Sequence, residues 1–292
     1  MARIVWQGGV DTAYATAGNW VGGSAPSAGD DVVIAPHPTT GVSNAIAGSN
    51  QTATELASFT VHPGYSANIG SSGTYLQIDA DEFRIHGSSE ELWLDASNAS
   101  GAIDWLTVSS TGQSVASNRT TKGVHIDLSS NVTELALNAG LCILESNSSG
   151  TVTRCAIQGA TAFLDHHVAV LYHESGTTEI DSDSNLTTLW MSDGTVIVHD
   201  GGFSEVRIFR GTVDWRSPDG ITTRLEVHGT GKWTNINNTH IPTINAAWVL
   251  GNGTIDLRNG ADDPVFTSPI ERRSSSSSIL ADDLRTITIA KV

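Results

Sequence analysis

Leu189-Trp190-Met191-Ser192-Asp193-Gly194 carries the pattern that decides the fold: two apolar residues two positions apart, a polar turn and a glycine. The same element occurs at residues 135–140 and 206–211, and a second alternating pair follows each glycine. Seven anchor glycines, 17 to 22 residues apart, mark the repeat: Gly140, Gly159, Gly176, Gly194, Gly211, Gly231 and Gly253. A strand-turn-strand unit with such a period is typical of a solenoid, in which each coil covers the apolar face of the next.

The repeat also predicts which side chains point inward. Residues alternate between the two sides of a strand, so the apolar set of each coil lies in the core. Six of the seven residues four positions after the anchor glycines are apolar, and Asn235 is the exception. This predicted core column comprises Leu144, Phe163, Ile180, Val198, Trp215, Asn235 and Leu257.

The fold class predicted from these patterns is all-β, a single-stranded parallel β-helix with an N-terminal cap and a C-terminal strand arm. A right-handed coil is preferred, because the chain lacks the six-residue repeat of left-handed helices. We assign residues 1–51 to the cap, 52–259 to the β-helix, with longer loops before residue 130, and 260–292 to a linker and arm.

The linker and arm are predicted from composition and alternation. Residues 271–278 are rich in serine and predict a flexible linker, whereas residues 284–292 alternate as a strand does. This strand either folds back over the last coil or pairs with another chain.

Charge and hydropathy exclude several classes of partner. The net charge of −16 repels nucleic acid phosphates, so we expect no nucleic acid partner. No stretch approaches the roughly 20 apolar residues of a membrane span, and the N-terminus lacks the apolar region of a signal peptide. We therefore expect a protein that is either cytosolic or reaches the outside without the secretory route. Cys142 and Cys155 are interpreted as buried free thiols.

Candidate metal and catalytic residues are few. Asp165, His166, His167 and His173 form the densest histidine group, but adjacent histidines on a strand face opposite sides, and zinc needs ligands that converge. We interpret them as turn and surface residues.

Two acidic pairs share a strand face, Asp79 with Asp81 and Asp181 with Asp183. Such pairs suit a polysaccharide hydrolase or a Ca²⁺ site, although surface acids are the simpler interpretation. We predict no catalytic, cofactor-binding or metal-binding residue, and hence a protein that is not an enzyme.

The first 35 residues contain a distinct motif. Trp6-Gln7-Gly8-Gly9 is followed by Gly18-Asn19-Trp20, by Pro26 and by residues 29–34, Gly-Asp-Asp-Val-Val-Ile. This pattern resembles the opening segment of β-solenoid proteins of phage particles and of autotransporter-type adhesins. The resemblance implies the start of a β-helix displayed on a virion or cell surface, and it carries no catalytic residues. Trp6 and Trp20 are large enough to cover the open end of the coil stack.

These observations predict a non-enzymatic virion structural protein, most simply a phage capsid decoration or cement protein on the virion surface. Its expected partners are the major capsid protein or another virion protein and two further copies of itself in a homotrimer. One alternative is a tailspike or fibre domain that binds or cleaves host polysaccharide, with Trp93, Trp105 and Trp190 stacking on sugar rings. Another alternative is a fragment of a bacterial surface adhesin.

Overall fold

The chain folds as a stack of parallel β-strands. The computed structural model describes residues 2–87, 91–109, 123–145, 150–181, 186–236, 239–258, 264–281 and the backbone of 289–291. The fold is all-β, with 57% strand, and forms a β-solenoid of about 10 turns, which confirms the predicted class. The right-handed sense of the coil stays a prediction. A 3-10 turn spans Ala17–Asn19.

Two compact units are present, Met1–Arg154 with Ala160–Ala162 and Cys155–Gly159 with Phe163–Val292. Strand β10 (Val152–Leu164) has residues in both. The strands of the first unit are β1 (Arg3–Trp6), β2 (Asp31–Ile34), β3 (Ser49–Val61), β4 (Leu76–Ile85), β5 (Leu92–Ser97), β6 (Ile103–Ser109), β7 (Val124–Leu128), β8 (Val132–Ala139) and β9 (Leu141–Leu144).

The core of the first unit consists of straight apolar columns. In-register parallel pairing runs from β2 through the C-terminal halves of β3 and β4 to β6 and β8. One buried column in this register contains Val32, Phe59, Phe83, Leu106 and Leu135. Because identical positions of successive coils lie above one another, each apolar side chain is covered by its neighbours in the column.

The N-terminal motif closes the first edge of this stack. β1 pairs with β2 on one side, and on its other side the Val21 N–H donates to Val5 O and the Gln7 N–H donates to Asn19 O. Trp6 and Trp20 are fully buried, with ring centroids 5.2 Å apart in an edge-to-face arrangement. The motif therefore satisfies the backbone groups that an exposed edge strand would leave open.

Asn19 holds this cap together. Its Oδ1 accepts the N–H groups of Val10 and Asp11, and its Nδ2 donates to Asp11 Oδ1 and Ala13 O. Asn19 is fully buried, so the Gly-Asn-Trp part of the motif has a structural explanation.

The second unit consists of the same kind of parallel, coil-to-coil strand pairing. Its strands are β11 (Val168–Asp181), β12 (Leu186–Met191), β13 (Thr195–Asp200), β14 (Phe203–Ile208), β15 (Thr212–Trp215), β16 (Ile221–Val227), β17 (Lys232–Thr234), β18 (Thr243–Ile244), β19 (Ala247–Val249), β20 (Thr254–Asp256), β21 (Val265–Phe266), β22 (Ile270–Arg272), β23 (Ser278–Leu280) and β24 (Ile289–Lys291). One sheet face runs through β11, β12, β14, β16, β19, β22 and β24, and another through β11, β13, β15, β17, β20 and β23.

Three anchor glycines, Gly176, Gly194 and Gly211, lie above one another in a column where the chain passes between these faces. Gly194 has φ +87°, and a Cβ there would lie 2.5 Å from Gly176 O and 2.8 Å from the His173 Cε1 atom. The position therefore needs glycine both for its left-handed backbone and for close contact with the coil below. In the two coils after Gly211 the positive φ occurs two residues before the anchor glycine, at Gly229 and Gly251.

The predicted core column is confirmed along its whole length. All seven side chains at this position are buried, and the most exposed of them, Phe163, is 5% accessible. Asn235 is fully buried in this column, so it is a polar member of the core.

The C-terminal segment differs from the predicted flexible linker. Residues 271–278 belong to β22, a turn and the start of β23, and Ser276 Oγ donates to Gly251 O of the preceding coil. The predicted terminal strand is present as β24, which pairs in parallel with β22 of its own sheet. The serine-rich stretch thus makes a tight turn between strands, and the boundaries at 51 and 259 stay a prediction.

Candidate binding surfaces

The second unit presents a ladder of outward side chains on the face that contains β12. Register pairs connect Tyr172 with Trp190, Trp190 with Arg207, Arg207 with Glu226, and Glu226 with Trp248. We call this ladder, together with its neighbours Glu205, Arg224, Glu271 and Arg273, the Trp190 face. Trp190 is 39% exposed, whereas the neighbouring Leu189 and Met191 are fully buried. This confirms that the indole points outward.

The ring of Trp190 is engaged by both neighbouring coils. Tyr172 meets it edge-to-face at a centroid distance of 5.7 Å, and the Arg207 guanidinium lies 5.0 Å from its centroid. Trp248 is placed in the same way, since Arg224 and Arg273 lie 5.8 and 5.5 Å from its centroid. These contacts link adjacent coils through cation–π attraction.

The charges of the Trp190 face are paired with one another. Arg207 and Arg224 both bind Glu205, and each also lies 3.4 Å from a carboxylate oxygen of Glu226. Burial pushes the pKa of Glu205 upward, but the hydrogen bonds from Arg224 and Arg207 outweigh it and hold the pKa below its ordinary value. The face is therefore a continuous ionic and aromatic network across successive coils.

The first unit carries a different arrangement around Trp105. This indole is 44% exposed and pairs in register with Glu82 on one coil and Glu134 on the other. Glu82 binds Arg84, and Glu134 lies 2.9 Å from the Arg154 guanidinium. Within the described residues the Trp105 side chain contacts no aromatic ring or guanidinium, and its Nε1 donates to Thr107 Oγ1. The indole of Trp105 is thus exposed between the register positions of two carboxylates.

The expectation that Trp93 is exposed is wrong. Trp93 is 5% accessible, because its indole lies parallel to the imidazole of His125 on the next coil and meets Tyr75 edge-to-face. His125 is 1% accessible, and its Nδ1 lies 2.7 Å from Glu145 Oε1. Alternation places Trp93 outward, but it does not reveal that the neighbouring coil covers the ring.

Asp79 and Asp81 lie on one face of β4, as predicted, and both hold the following loop. Asp79 accepts the Ala99 N–H with both oxygens at 3.0 and 3.2 Å, and Asp81 accepts from Asn98 Nδ2 at 3.1 Å. Burial raises the pKa of Asp79, and the carboxylates of Glu55 and Asp81 raise it further. This geometry assigns both acids to loop anchoring. Asp181 ends β11 and is exposed, and Asp183 lies outside the described residues.

The interpretation of this histidine group as surface residues is wrong for His166 and His173, which are buried. His166 is 5% accessible and His167 is half-buried. His173 is fully buried with its Nδ1 2.8 Å from Asp193 O, and burial lowers its pKa. No group of three or more histidine, cysteine or acidic side chains in the described part of the chain is arranged to hold a metal ion.

Both cysteines are buried thiols outside any disulfide of the described residues, which confirms their interpretation. Burial, assisted by the Glu145 carboxylate, raises the pKa of Cys142 to about 12. A thiol with so high a pKa is a poor nucleophile, so Cys142 acts as a small apolar core residue.

A small pocket between the cap and β3 was missed by sequence reasoning. Its lining comprises Tyr14, Ala15, Ala25, Pro26, Gln51, Thr54 and Leu56. β3 is irregular here, since pairing with β4 is interrupted between Asn50 and Glu55. Gln51 and Thr54 lie in this interruption, so a bulge in the strand forms one wall of the pocket.

Fold and cap together define a capped β-solenoid. Comparisons with protein family models, curated proteins and solved structures found no match. Among the described residues no helix is long and apolar enough to cross a membrane.

Proposed function

We propose that the protein is a non-enzymatic structural protein of a virion, displayed on the outer capsid as a decoration protein. Its partner is the major capsid protein or another virion protein, and it acts as a homotrimer. A protein that binds only the assembled capsid stabilises the assembly by mass action, so it needs a rigid binding surface and no catalytic group.

The observation that carries the proposal is the internal pairing of outward polar side chains. Arg207 contacts Trp190, Glu205 and Glu226, which lie on three coils. Asp79 and Asp81 hold a loop in the same way. Polar side chains that bond successive coils to one another make this surface rigid. A rigid surface of this kind supports a structural role.

The closed first edge of the stack is a second support. Its motif resembles the opening of phage β-solenoids, and the hydrogen bonds from Val21 and to Asn19 block strand addition at β1. A solenoid that is displayed on a particle at high local density needs such protection against edge-to-edge association.

The homotrimer is proposed to form through the Trp190 face. Trp190 is 39% exposed, and Phe209, directly after β14 on the next coil, is 41% exposed. One lateral face of each copy can be buried around a three-fold axis in this way. Rings already held by neighbouring coils lose little side-chain entropy on association.

Capsid binding and light scattering test this proposal. The purified protein is mixed with capsids assembled from the major capsid protein encoded beside it, and binding is followed by co-sedimentation. We expect saturable binding, a trimer mass, and loss of the trimer in a Trp190→Ala/Phe209→Ala variant but not in Trp105→Ala. Absence of binding to these capsids and to tail assemblies of the same virion would falsify the proposal.

A second candidate function is polysaccharide binding by a fibre domain, and Trp105 favours it. Its exposed indole lies between Glu82 and Glu134, which can accept hydrogen bonds from sugar hydroxyls while the ring contacts the C–H face of a pyranose. The hydrolase form of this alternative gains no support from Asp79, because that carboxyl is buried and engaged by Ala99.

Trp105→Ala and Trp190→Ala are matched variants for this candidate. Titration with maltohexaose, cellohexaose and laminarihexaose, followed by calorimetry, should show binding that is lost in Trp105→Ala and retained in Trp190→Ala. Equal loss in both variants, or no binding to any of the three at millimolar concentration, rules out Trp105 as a sugar platform.

A further inference from the structure

We infer that two Asp-Gly steps of the second unit, Asp193-Gly194 and Asp200-Gly201, are sites at which the chain modifies itself. At each site the side-chain carboxyl closes on the next backbone nitrogen to form a succinimide, which water then opens to aspartate or isoaspartate. Neither an enzyme nor a partner protein takes part, so this chemistry is independent of the proposed function.

The carboxylates of both aspartates lie against the backbone nitrogen of the residue that follows. The Gly194 N–H donates to Asp193 Oδ1 at 2.7 Å. The Gly201 N–H donates to Asp200 Oδ1 at the same distance. Each hydrogen bond places the nitrogen beside the carboxyl group that it has to attack. Groups that are held together in this way react faster than freely rotating ones, because the entropy of bringing them together has already been lost.

The turn at Asp193 leaves the attacking group accessible. Gly194 has no Cβ to obstruct the approach of its nitrogen. Among the described residues, its N–H has no acceptor other than the Asp193 carboxylate, so ring closure breaks no hydrogen bond of the coil stack. Asp193 is exposed and Asp200 is half-buried, so water reaches the ring that forms.

The reaction is a condensation followed by a hydrolysis. The backbone nitrogen forms a bond to Cγ of the protonated carboxyl, the nitrogen loses its proton, and the carboxyl hydroxyl leaves as water. One water molecule then adds to either carbonyl of the ring and breaks a C–N bond. This step regenerates aspartate or leaves the chain connected through the side chain. No electrons are transferred, and each cycle exchanges one carboxyl oxygen with water.

The third Asp-Gly step of the chain, Asp219-Gly220, has the glycine without this geometry. Asp219 is exposed, but its backbone makes the hydrogen bonds of the turn. Its O accepts from Trp215 Nε1, and its N–H donates to Ser217 Oγ. Among the described residues, no hydrogen bond joins its carboxylate to the Gly220 N–H.

The step Asp127-Leu128 has the hydrogen bond without the glycine. The Leu128 N–H donates to Asp127 Oδ1 at 3.1 Å, but Leu128 carries a bulky side chain that is buried. Within the described part of the chain, glycine and hydrogen bond therefore coincide at Asp193 and Asp200.

Isoaspartate at position 193 adds one backbone atom where the coils are in close contact. A Cβ on Gly194 already lies 2.5 Å from Gly176 O, and the Asp193 carbonyl lies 2.8 Å from His173 Nδ1. The folded chain therefore favours reopening of the ring to aspartate. Oxygen exchange, which records both products, is for this reason the direct measure of the reaction.

The test is oxygen exchange in the folded full chain. The protein is kept in water enriched in heavy oxygen, and each aspartate is examined by tandem mass spectrometry of its peptide. We expect label at the two proposed sites to appear at least ~10-fold faster than at Asp219 or Asp127. Exchange should be faster at mildly acidic than at alkaline pH, because water leaves from the protonated carboxyl. In the chain unfolded by urea, the three Asp-Gly steps should exchange at similar rates.

Asp193→Glu is the matched variant. It keeps the charge but has to close a larger ring, so label at position 193 should be lost while Asp200 exchanges as in the parent. Two results would overturn the inference. Exchange at Asp219 that is as fast as at Asp193 in the folded chain shows that the hydrogen-bonded geometry is not responsible. Absence of label at both proposed sites shows that the turns hold carboxyl and nitrogen in unreactive positions.

Discussion

The Trp93 indole lies parallel to the His125 imidazole on the next coil, with ring centroids 3.6 Å apart and 9° between the ring planes. Both side chains point away from the apolar column, yet each is at least 95% buried. His125 also bonds to Glu145, so the stack connects three successive coils of the first unit.

His125→Ala should lower the free energy of unfolding by about 2–4 kcal/mol, because the ring contact is lost and a cavity remains. His125→Phe keeps the ring stack but loses the hydrogen bond to Glu145. We therefore expect its free energy of unfolding to fall by about 1 kcal/mol. Urea denaturation followed by tryptophan fluorescence measures both. A His125→Ala midpoint equal to that of the parent would show that the stack contributes nothing.

Stability in acid should depend on Asp256. Hydrogen bonds from Arg258 outweigh burial and, with Lys232 at 2.9 Å, hold the pKa of this carboxyl well below its ordinary value of 3.8. A folded-state pKa that is lower than the unfolded one contributes stability above the unfolded value, and that stability is lost as the pH falls below about 4.

Asp256→Asn should therefore destabilise the protein by roughly 1–3 kcal/mol at pH 7 and much less at pH 2. Thermal unfolding between pH 2 and 7 checks this. Asp104→Asn is the control, since Asp104 is an exposed carboxyl on β6. Parallel pH curves for Asp256→Asn and the parent would contradict the assignment.

Asp79 should have the opposite pH dependence. Burial raises its pKa above the value of the unfolded chain. Its contribution to folding stability is therefore greatest below the unfolded-state pKa and is lost as the pH rises through the folded-state pKa. Asp79→Asn keeps an acceptor for the Ala99 N–H and should be neutral or stabilising at pH 7. Asp79→Ala removes the acceptor and should cost about 1–2 kcal/mol. Equal destabilisation by the two substitutions in thermal unfolding at pH 7 would refute this.

Gly194 and Gly22 separate backbone strain from steric contact. Their φ angles are +87° and +91°, but a Cβ at Gly22 meets nothing within 4 Å, whereas one at Gly194 meets Gly176 O at 2.5 Å. Gly22→Ala should cost about 1–2 kcal/mol through strain alone. Gly194→Ala should cost a further ~1–3 kcal/mol, because the neighbouring coil has to move. Equal losses in urea denaturation would show that the glycine column is required only for its backbone angles.

Asn19→Ala should open the N-terminal cap. This substitution removes four hydrogen bonds of a fully buried amide. We expect the free energy of unfolding to fall by about 2–4 kcal/mol and proteolysis within the first 20 residues to become faster. Thr16→Ala, which loses one exposed bond to Asp11, is the control. Proteolysis at the parent rate in Asn19→Ala would mean that the cap is held by Trp6 and Trp20 alone.

Much of the fold could be predicted because single residues mark each repeat. The position of Gly194 predicts a turn, and the burial of Val198 four residues later follows from strand alternation. The serine-rich stretch at residues 271–278 was misread because its composition suits a linker and a tight turn equally well. Only pairing with Gly251 of the preceding coil distinguishes the two.

The surfaces were less predictable, because they depend on which residues meet across coils. Alternation places both Trp93 and Trp190 outward, but one is covered by His125 and the other lies between Tyr172 and Arg207. The strand register decides which residues meet, and predicting that register requires the length of every intervening loop. The pocket at Tyr14 depends on a strand bulge that has no signal in the repeat.

The in-register pairing of Thr195 with Thr212 makes residues 195–211 one complete interchangeable module. Each coil contacts only the coils before and after it, so a tandem duplication of this module would preserve every pairing on both sides. Insertion of a single residue within a strand would instead shift that strand against its neighbour and turn core residues outward. Evolution can therefore lengthen or shorten this molecule in whole coils by recombination, while the cap and the terminal strands are left as they are.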